Sequence, residues 1–530
     1  KLKAILVWDP EVSIDALKDL GAGTSIKVHH WSELAKIAEG TPKAALVEAM
    51  TSQKPMECCA YIYTSGTTGN PKAVMISHDN IVFESRAVLE AIQIFGREEA
   101  EERVISYLPL SHVAGMMVDI VCPLVAAAEM KGWTCTFFAR NYDLRVGSIV
   151  ERFKAVRPTM FLGVPRVWEK IQAKMIAVKN AAIAAGEMSP TVVRISEWGK
   201  SMSLEHAAER QMGGTGKKAM MYGPVAEGLV QKKAKAALGL DQCKFAFTGA
   251  APISVDTLRY FASVGININE VYGMSECTGA ATWSTDKAHV WGSVGWAVPG
   301  VEVKVFKNDS SGGNVEVPPA NDLFSPTEEE QGELCYRGRN IMMGYLANPD
   351  LGPGHVAEIE AKTKATVDAQ GWLHSEDKGC MDARGMFRVT GRYKELLIGA
   401  GGENVAPVPV EDNVKALCPA ISNVMMVGDK KPFNCMLVTL KAQGANGENP
   451  GGDELEGEAL EFLKKATAGQ SGAGAGGGGG GGAGDVPTTI SGCVAQGPSG
   501  PMVAAIAKAI QDTNKNPVAC PMNASKVQKF

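Results

Sequence analysis

The chain has 530 residues, 45 % of them hydrophobic, and a formal net charge of −5. That length exceeds what one ordinary core supports and predicts at least two domains, while the lack of a basic excess argues against a nucleic-acid partner. The 12 cysteines form no CxxC pair, which reads as a reduced, intracellular chain and speaks against a cysteine metal centre.

In chain order, the first residue is Lys1 and residues 4–8 already read as a strand. The chain is therefore expected to begin inside a domain, with residues missing ahead of it. No signal peptide is visible. No stretch reaches the roughly 18–20 uncharged apolar residues of a membrane span. The nearest, 113–128, is interrupted by Asp119 and reads as a buried core helix. Cytoplasmic placement is expected, with peripheral membrane contact left open. Short β-rich runs at 60–63, 73–76, 159–162 and 244–247 alternate with helical stretches at 143–157 and 167–185. That alternation predicts an α/β fold. The Gly/Pro-rich stretches 308–331 and 444–456 read as loops. The tract 466–485 holds seven consecutive glycines, 476–482, and is expected to be a flexible insertion. Its GxGxxG at Gly472, Gly474 and Gly477 has no strand before it and no helix after it, so it does not predict a dinucleotide site.

The most specific segment is YTSGTTGNPK at 63–72. Glycines let backbone N–H groups approach an anion, the hydroxyls of Thr64, Ser65, Thr67 and Thr68 add donors, and Lys72 adds positive charge. This suits a polyphosphate, although the Walker pattern GxxxxGK[ST] is absent. The segment resembles the phosphate loop of the adenylate-forming superfamily. Five further stretches follow in that family's order: YLPLSHVAG (107–115), FTGAAP (247–252), VYGMSECTG (271–279), GWLHSEDKG (371–379) and GRYKELLIGAGGENVAPVPVE (391–411). The last, with FLGVPRVWEKI at 161–171, is most similar to the long-chain "bubblegum" branch of acyl-CoA synthetases.

The resemblance implies a large N-terminal adenylation domain, 1–392, and a small mobile α+β C-terminal domain, 393–530. It implies ATP, Mg2+ and coenzyme A as cofactor and co-substrates, and a fatty acid as the acid. Thr64, Ser65, Gly66, Thr67, Thr68, Gly69 and Lys72 would hold the phosphates. Gly249, Ala250 and Ala251 would line the adenine, with Tyr272 stacked on it and Gly273 beside it. Asp377 and Arg392 would contact the ribose, Glu276 and Thr67 the magnesium, and His112 the substrate carboxylate and α-phosphate. Lys394 would be the hinge of the small domain, and Gly399, Gly401 and Gly402 would face the pantetheine channel. Met116 falls where some relatives carry an aromatic gate to the acyl tunnel.

The chain departs from the family pattern in three places. Ala73 and Glu376 stand where relatives usually have glycine. The chain also ends at KVQKF (526–530), ahead of the family's C-terminal catalytic lysine, which no position here matches. It is therefore expected to be incomplete at both ends and to adenylate poorly by itself. Two alternatives to a long-chain fatty acid–CoA ligase stay open: an impaired homologue acting as a scaffold, and an adenylating enzyme with another acceptor.

Overall fold

The structure is a computed structural model that describes residues 4–8, 26–64, 71–93, 101–140, 142–144, 147–213, 227–286, 288–307, 313–400, 403–445, 451–470 and 486–530. The chain forms two compact units, Lys1–Glu57 and Cys58–Phe530. In the first unit, β1 (Ala4–Val7) pairs in parallel with β2 (Lys27–His30), as expected of residues 4–8. Trp8 packs edge-on against Trp31, with ring centres 4.5 Å apart. Two short helices, Leu34–Ala38 and Lys43–Thr51, follow.

The strands of the second unit are, in order, β3 (Cys58–Thr64), β4 (Lys72–Ser77), β5 (Glu101–Ser106), β6 (Trp133–Phe138), β7 (Met160–Leu162), β8 (Phe245–Thr248), β9 (Ile268–Met274), β10 (Gly279–Trp283) and β11 (Trp296–Ala297). There follow β12 (Glu302–Phe306), β13 (Gly332–Arg337), β14 (Gly344–Tyr345), β15 (Leu373–Met381), β16 (Phe387–Arg392), β17 (Leu397–Ile398), β18 (Asn404–Val405), β19 (Ile421–Val427), β20 (Asn434–Leu440) and β21 (Val527–Lys529). Seven of them make one sheet in the order β11-β10-β9-β8-β7-β5-β6. From β6 to β9 its pairs are parallel, and the β9–β10–β11 edge is antiparallel. Parallel neighbours need crossover connections. The helices Ile149–Val156, Pro165–Ala184 and Val255–Ser263 lie in those crossovers. The fold is the expected α/β.

Local sequence sets these elements. Ser77 and Asn80 form a reciprocal capping box at the start of the helix His78–Ala91. Pro165 occupies the first turn of its helix, where no N–H partner is lost. One core joins helices to the parallel strands through edge-on rings: Phe153 on Phe161 at 4.7 Å, Phe161 on Trp168 at 5.0 Å and Trp168 on Phe261 at 4.9 Å. All four side chains are fully buried, which stabilises by about 1.5–3 kcal/mol each. Trp168 also donates its ring N–H to the carbonyl of Phe247 at 3.1 Å.

Three expectations need correction. The helix expected over 143–157 begins only at Ile149. Buried Asp143 instead accepts from the backbone of Arg140 at 2.8 Å and from the Ser148 hydroxyl at 2.6 Å, closing a polar turn ahead of the helix. The segment 113–128 is helical but changes pitch: Val113–Gly115 is α, Met116–Val121 is π and Cys122–Glu129 is α, with Asp119 buried in the π turn. The tract expected to be irregular from 466 is helical through Gln470, where the Thr467 hydroxyl donates to the carbonyl of Leu463 at 2.9 Å. Residues 471–485 lie outside the described residues.

Residues beyond Arg392 build their own core around Val410, Val414, Met436, Leu463 and Ile506, under the β19–β20–β21 sheet. The boundary between compact units falls after Glu57, so this core belongs to the second unit. Among the described residues no helix is long and apolar enough to cross a membrane.

Candidate active site

β3 and β4 form an antiparallel pair that ends with Thr64 opposite Lys72. Ser65, Gly66, Thr67, Thr68 and Gly69 lie outside the described residues. β14 pairs with the other edge of β4, setting Tyr345 opposite Val74. The Lys72 amino group sits over the Tyr345 ring, 4.8 Å from its centre. The Tyr345 hydroxyl donates to Oε1 of Glu276 at 2.9 Å. Burial and the Glu276 charge push the Tyr345 pKa up, so the hydroxyl keeps its proton and remains a donor. One tyrosine thus joins the loop lysine to the acid.

Glu276 is buried in the 3-10 turn Ser275–Cys277 that follows β9. Thr278 leaves that turn with φ +62°, and its hydroxyl donates to the carbonyl of Asn340 at 2.6 Å. The Asn340 amide returns a bond to the carbonyl of Cys277 at 3.2 Å. The N–H of Met342 donates to the backbone carbonyl of Glu276 at 2.9 Å. The turn is therefore held by bonds to its backbone and to Asn340 that leave the Glu276 carboxylate to Tyr345.

Four residues upstream, Tyr272 begins a second cluster. Its hydroxyl donates to Oδ2 of Asp377 at 2.5 Å and accepts from the Tyr336 hydroxyl at 2.5 Å. Asp377 on β15 faces Arg392 on β16 in register, and Arg392 Nε donates to its Oδ1 at 2.9 Å. Burial pushes the Asp377 carboxyl up, and the bonds from Tyr272 and Arg392 oppose that shift. Tyr272 itself is pushed well up by burial and by the Asp377 charge. Gly249, Ala250 and Ala251 leave the end of β8 in a tight turn with Ala250 at φ +67°. A Cβ on Gly249 would come within 2.9 Å of the carbonyl of Val271. Gly273 is tighter still: a Cβ there would lie 1.8 Å from the carbonyl oxygen of Gly279.

The structure joins Lys72 to Glu276 and Tyr272 to Asp377 and Arg392. His112, Lys394 and Gly399 make other contacts. His112 is exposed, and its Nδ1 accepts the Ala114 N–H at 3.1 Å as a helix cap. Lys394, in the turn Tyr393–Glu395, pairs with Glu376 at 2.5 Å. Glu376 has φ +61°, a left-handed backbone that favours glycine. Gly399 donates its N–H to the carbonyl of Glu403 at 2.9 Å; Gly401 and Gly402 lie outside the described residues. Neither Tyr336 nor Tyr345 stands in a segment with a readable motif. Each meets its partner 64 or more positions away in the chain, which leaves no spacing signal.

The AMP-binding enzyme family model matches residues 2–346, and the AMP-binding enzyme C-terminal domain model matches residues 394–467. The chain is 40% identical over 503 residues to "Long-chain-fatty-acid--CoA ligase ACSBG2" of Gallus gallus, covering 95% of this chain and 57% of that protein. It is 36% identical over 460 residues to the protein of that name from Homo sapiens, with 86% of this chain and 62% of that protein covered. To "Long-chain-fatty-acid--CoA ligase ACSBG1" of Bos taurus it is 35% identical over 499 residues, with 94% and 60% covered. The chain thus spans about three-fifths of the length of these curated relatives. They agree with the bubblegum likeness of 161–171 and 391–411. Among solved structures, ATP-bound MatB from Rhodopseudomonas palustris shares the fold with a TM-score of 0.55 and 22% identity, covering 87% of this chain and 72% of that one. A benzoate CoA ligase from Burkholderia xenovorans LB400 gives 0.53 at 16% identity, with 84% and 71% covered.

Proposed function

The chain belongs to the AMP-binding enzyme family, and from that premise we propose that it is the greater part of a long-chain fatty acid–CoA ligase. A fatty-acid carboxylate attacks the α-phosphorus of ATP and pyrophosphate leaves. The thiol of coenzyme A then attacks the acyl-adenylate, releasing AMP and the thioester. The observation that carries this reading is the meeting of two clusters on one short stretch: a lysine–tyrosine–acid chain ends at Glu276, and a tyrosine–aspartate–arginine chain begins at Tyr272. A nucleoside triphosphate needs such a pair of neighbours, one for charge and one for the sugar.

In this reading Lys72 and the loop 64–69 bind the phosphates. Gly249, Ala250, Ala251, Tyr272 and Gly273 bound the adenine, and Asp377 with Arg392 takes the ribose diol. Glu276 offers a hard carboxylate oxygen, which fits magnesium; Thr67 would complete the protein's share. Bound magnesium would neutralise phosphate charge. His112 is proposed to sit by the acyl carboxylate. The division at 392/393 is retained as a proposal: residues after Arg392 turn about Lys394 between the two half-reactions, and Gly401 and Gly402 face the pantetheine arm. A long acyl chain partitions into membranes, so the proposed working place is cytoplasmic, at a membrane surface.

Two assays test this. Glu276→Ala should abolish magnesium-dependent pyrophosphate release, and an unchanged release would refute the assignment of Glu276. Competition among short-, long- and very-long-chain acids should favour the long chain; preference for acetate or an aromatic acid would overturn the substrate class.

A further inference from the structure

We infer that Glu333 is a positioning residue for nucleotide binding, one that shapes the backbone at Glu376 and so aims the Asp377 carboxylate; the inference rests on the ribose role proposed above for Asp377. The evidence begins with strand register. Glu333 pairs with Lys378 and Cys335 pairs with His374. Two steps on β13 therefore face four on β15, and the excess is taken up over Ser375, Glu376 and Asp377. Bulges of this kind re-aim a side chain and leave ladder groups unpaired.

The bulge is held from β13. Oε1 of Glu333 accepts the N–H of Glu376 at 2.8 Å, the residue with φ +61°. The bulge takes this N–H out of the ladder, and a charged acceptor makes a strong partner for it, so the bond stabilises the left-handed turn that directly precedes Asp377. Glu333 is in turn prevented from swinging away. Its Oε2 lies 3.0 Å from Nδ1 of His374, whose Nε2 lies 3.5 Å from Asp368. Asp368 is anchored by the N–H groups of Gln370 at 2.8 Å and Trp372 at 2.9 Å and by the Asn314 amide at 2.7 Å. The Glu333 hydrogen bond pushes the His374 pKa up, favouring the charged ring.

Glu333, Cys335 and His374 also have the side-chain types of a metal site, with their ligand atoms within 4.8 Å of one another. Two of those atoms are already spent on each other, and burial pushes the Cys335 thiol up so that it stays protonated. Glu333 with His374 is an anchor for the bulge.

The test is equilibrium binding of ATP and of 2′,3′-dideoxyadenosine triphosphate, by calorimetry, to the 530-residue chain. The readout is the ratio of the two affinities within each variant. A general loosening of the fold weakens both ligands and leaves that ratio unmoved. The unmodified chain should prefer ATP by ~tenfold or more, the loss expected when hydrogen bonds to a carboxylate are deleted. Glu333→Ala should bring the ratio close to that of Asp377→Asn. Glu333→Gln keeps an acceptor for the Glu376 N–H and should restore most of the preference. If Glu333→Ala does not fold, Glu333→Asp carries the test, because it is one methylene too short to reach the bulge. A full preference for ATP in the alanine or aspartate variant overturns the inference. No preference in the unmodified chain overturns the ribose reading beneath it.

Discussion

Tyr345 donates its hydroxyl to Glu276 at 2.9 Å while its ring lies beneath the amino group of Lys72. Tyr345→Phe keeps the ring and removes only the donor. The Glu276 carboxylate then loses its orienting bond. A hydrogen bond to a charged group contributes about 1.5–3 kcal/mol, so the magnesium concentration that half-saturates pyrophosphate release should rise ~tenfold or more. An unchanged magnesium titration would show that Glu276 is oriented without Tyr345.

The Asp377–Arg392 pair is asymmetric. The carboxylate side chain is 10% exposed and the guanidinium side chain 54%. Removing the acid leaves an arginine that water can reach, whereas removing the arginine leaves a buried carboxylate served by Tyr272. Arg392→Gln should therefore destabilise the chain more than Asp377→Asn, by ~1–2 kcal/mol, since an uncompensated buried charge is the costlier remnant. Denaturant titration gives the order; the reverse order would contradict it.

Glu84 is a buried acid that accepts the N–H of Ala280 at 2.7 Å, and burial raises its pKa from 4.5 to about 8. Below pH 4.5 the folded and unfolded chains both hold this proton. Between 4.5 and about 8 only the folded chain does, so stability falls as pH rises through that window and levels off above it. Glu84→Gln keeps the acceptor and has no proton to lose. Its melting temperature relative to the parent chain should increase with pH over that range. Parallel melting curves would count against a neutral Glu84.

Lys394, in the turn that follows β16, pairs with Glu376 on the neighbouring strand β15. Proline at 394 fixes φ and would restrict rotation there. Thioester formation from preformed acyl-adenylate should drop several-fold more than pyrophosphate release. Equal losses in the two half-reactions would remove Lys394 from the hinge.

Much of the architecture was legible in the sequence because local chemistry and tertiary structure agree. The alternating runs at 60–63 and 73–76 became β3 and β4, and the runs at 159–162 and 244–247 became β7 and β8. Disagreement arose where polar side chains intervene. Asp143 collects bonds that delay a helix by six residues, and Asp119 is buried where the helix widens to a π turn. At the site, Tyr272, Glu276, Asp377 and Arg392 stand in contiguous motifs and were readable. Tyr336, Tyr345 and Glu333 were not, because each bonds a residue 43 or more positions away in the chain. Glu376 stands out in the sequence only as a departure from the family pattern. Its backbone bond to Glu333 and its ion pair with Lys394 became visible only in three dimensions.

Gly273 separates Tyr272 from the turn that carries Glu276, and a Cβ at that position would overlap the Gly279 carbonyl at 1.8 Å. Every codon change that alters a glycine adds at least that atom, so position 273 is a mutational dead end. Descendants of this chain can vary the nucleotide pocket only by changing its walls, never by re-spacing the two clusters through 273. In a saturation library selected for folding, 273 should be among the least tolerant positions, whatever substrate the selection rewards.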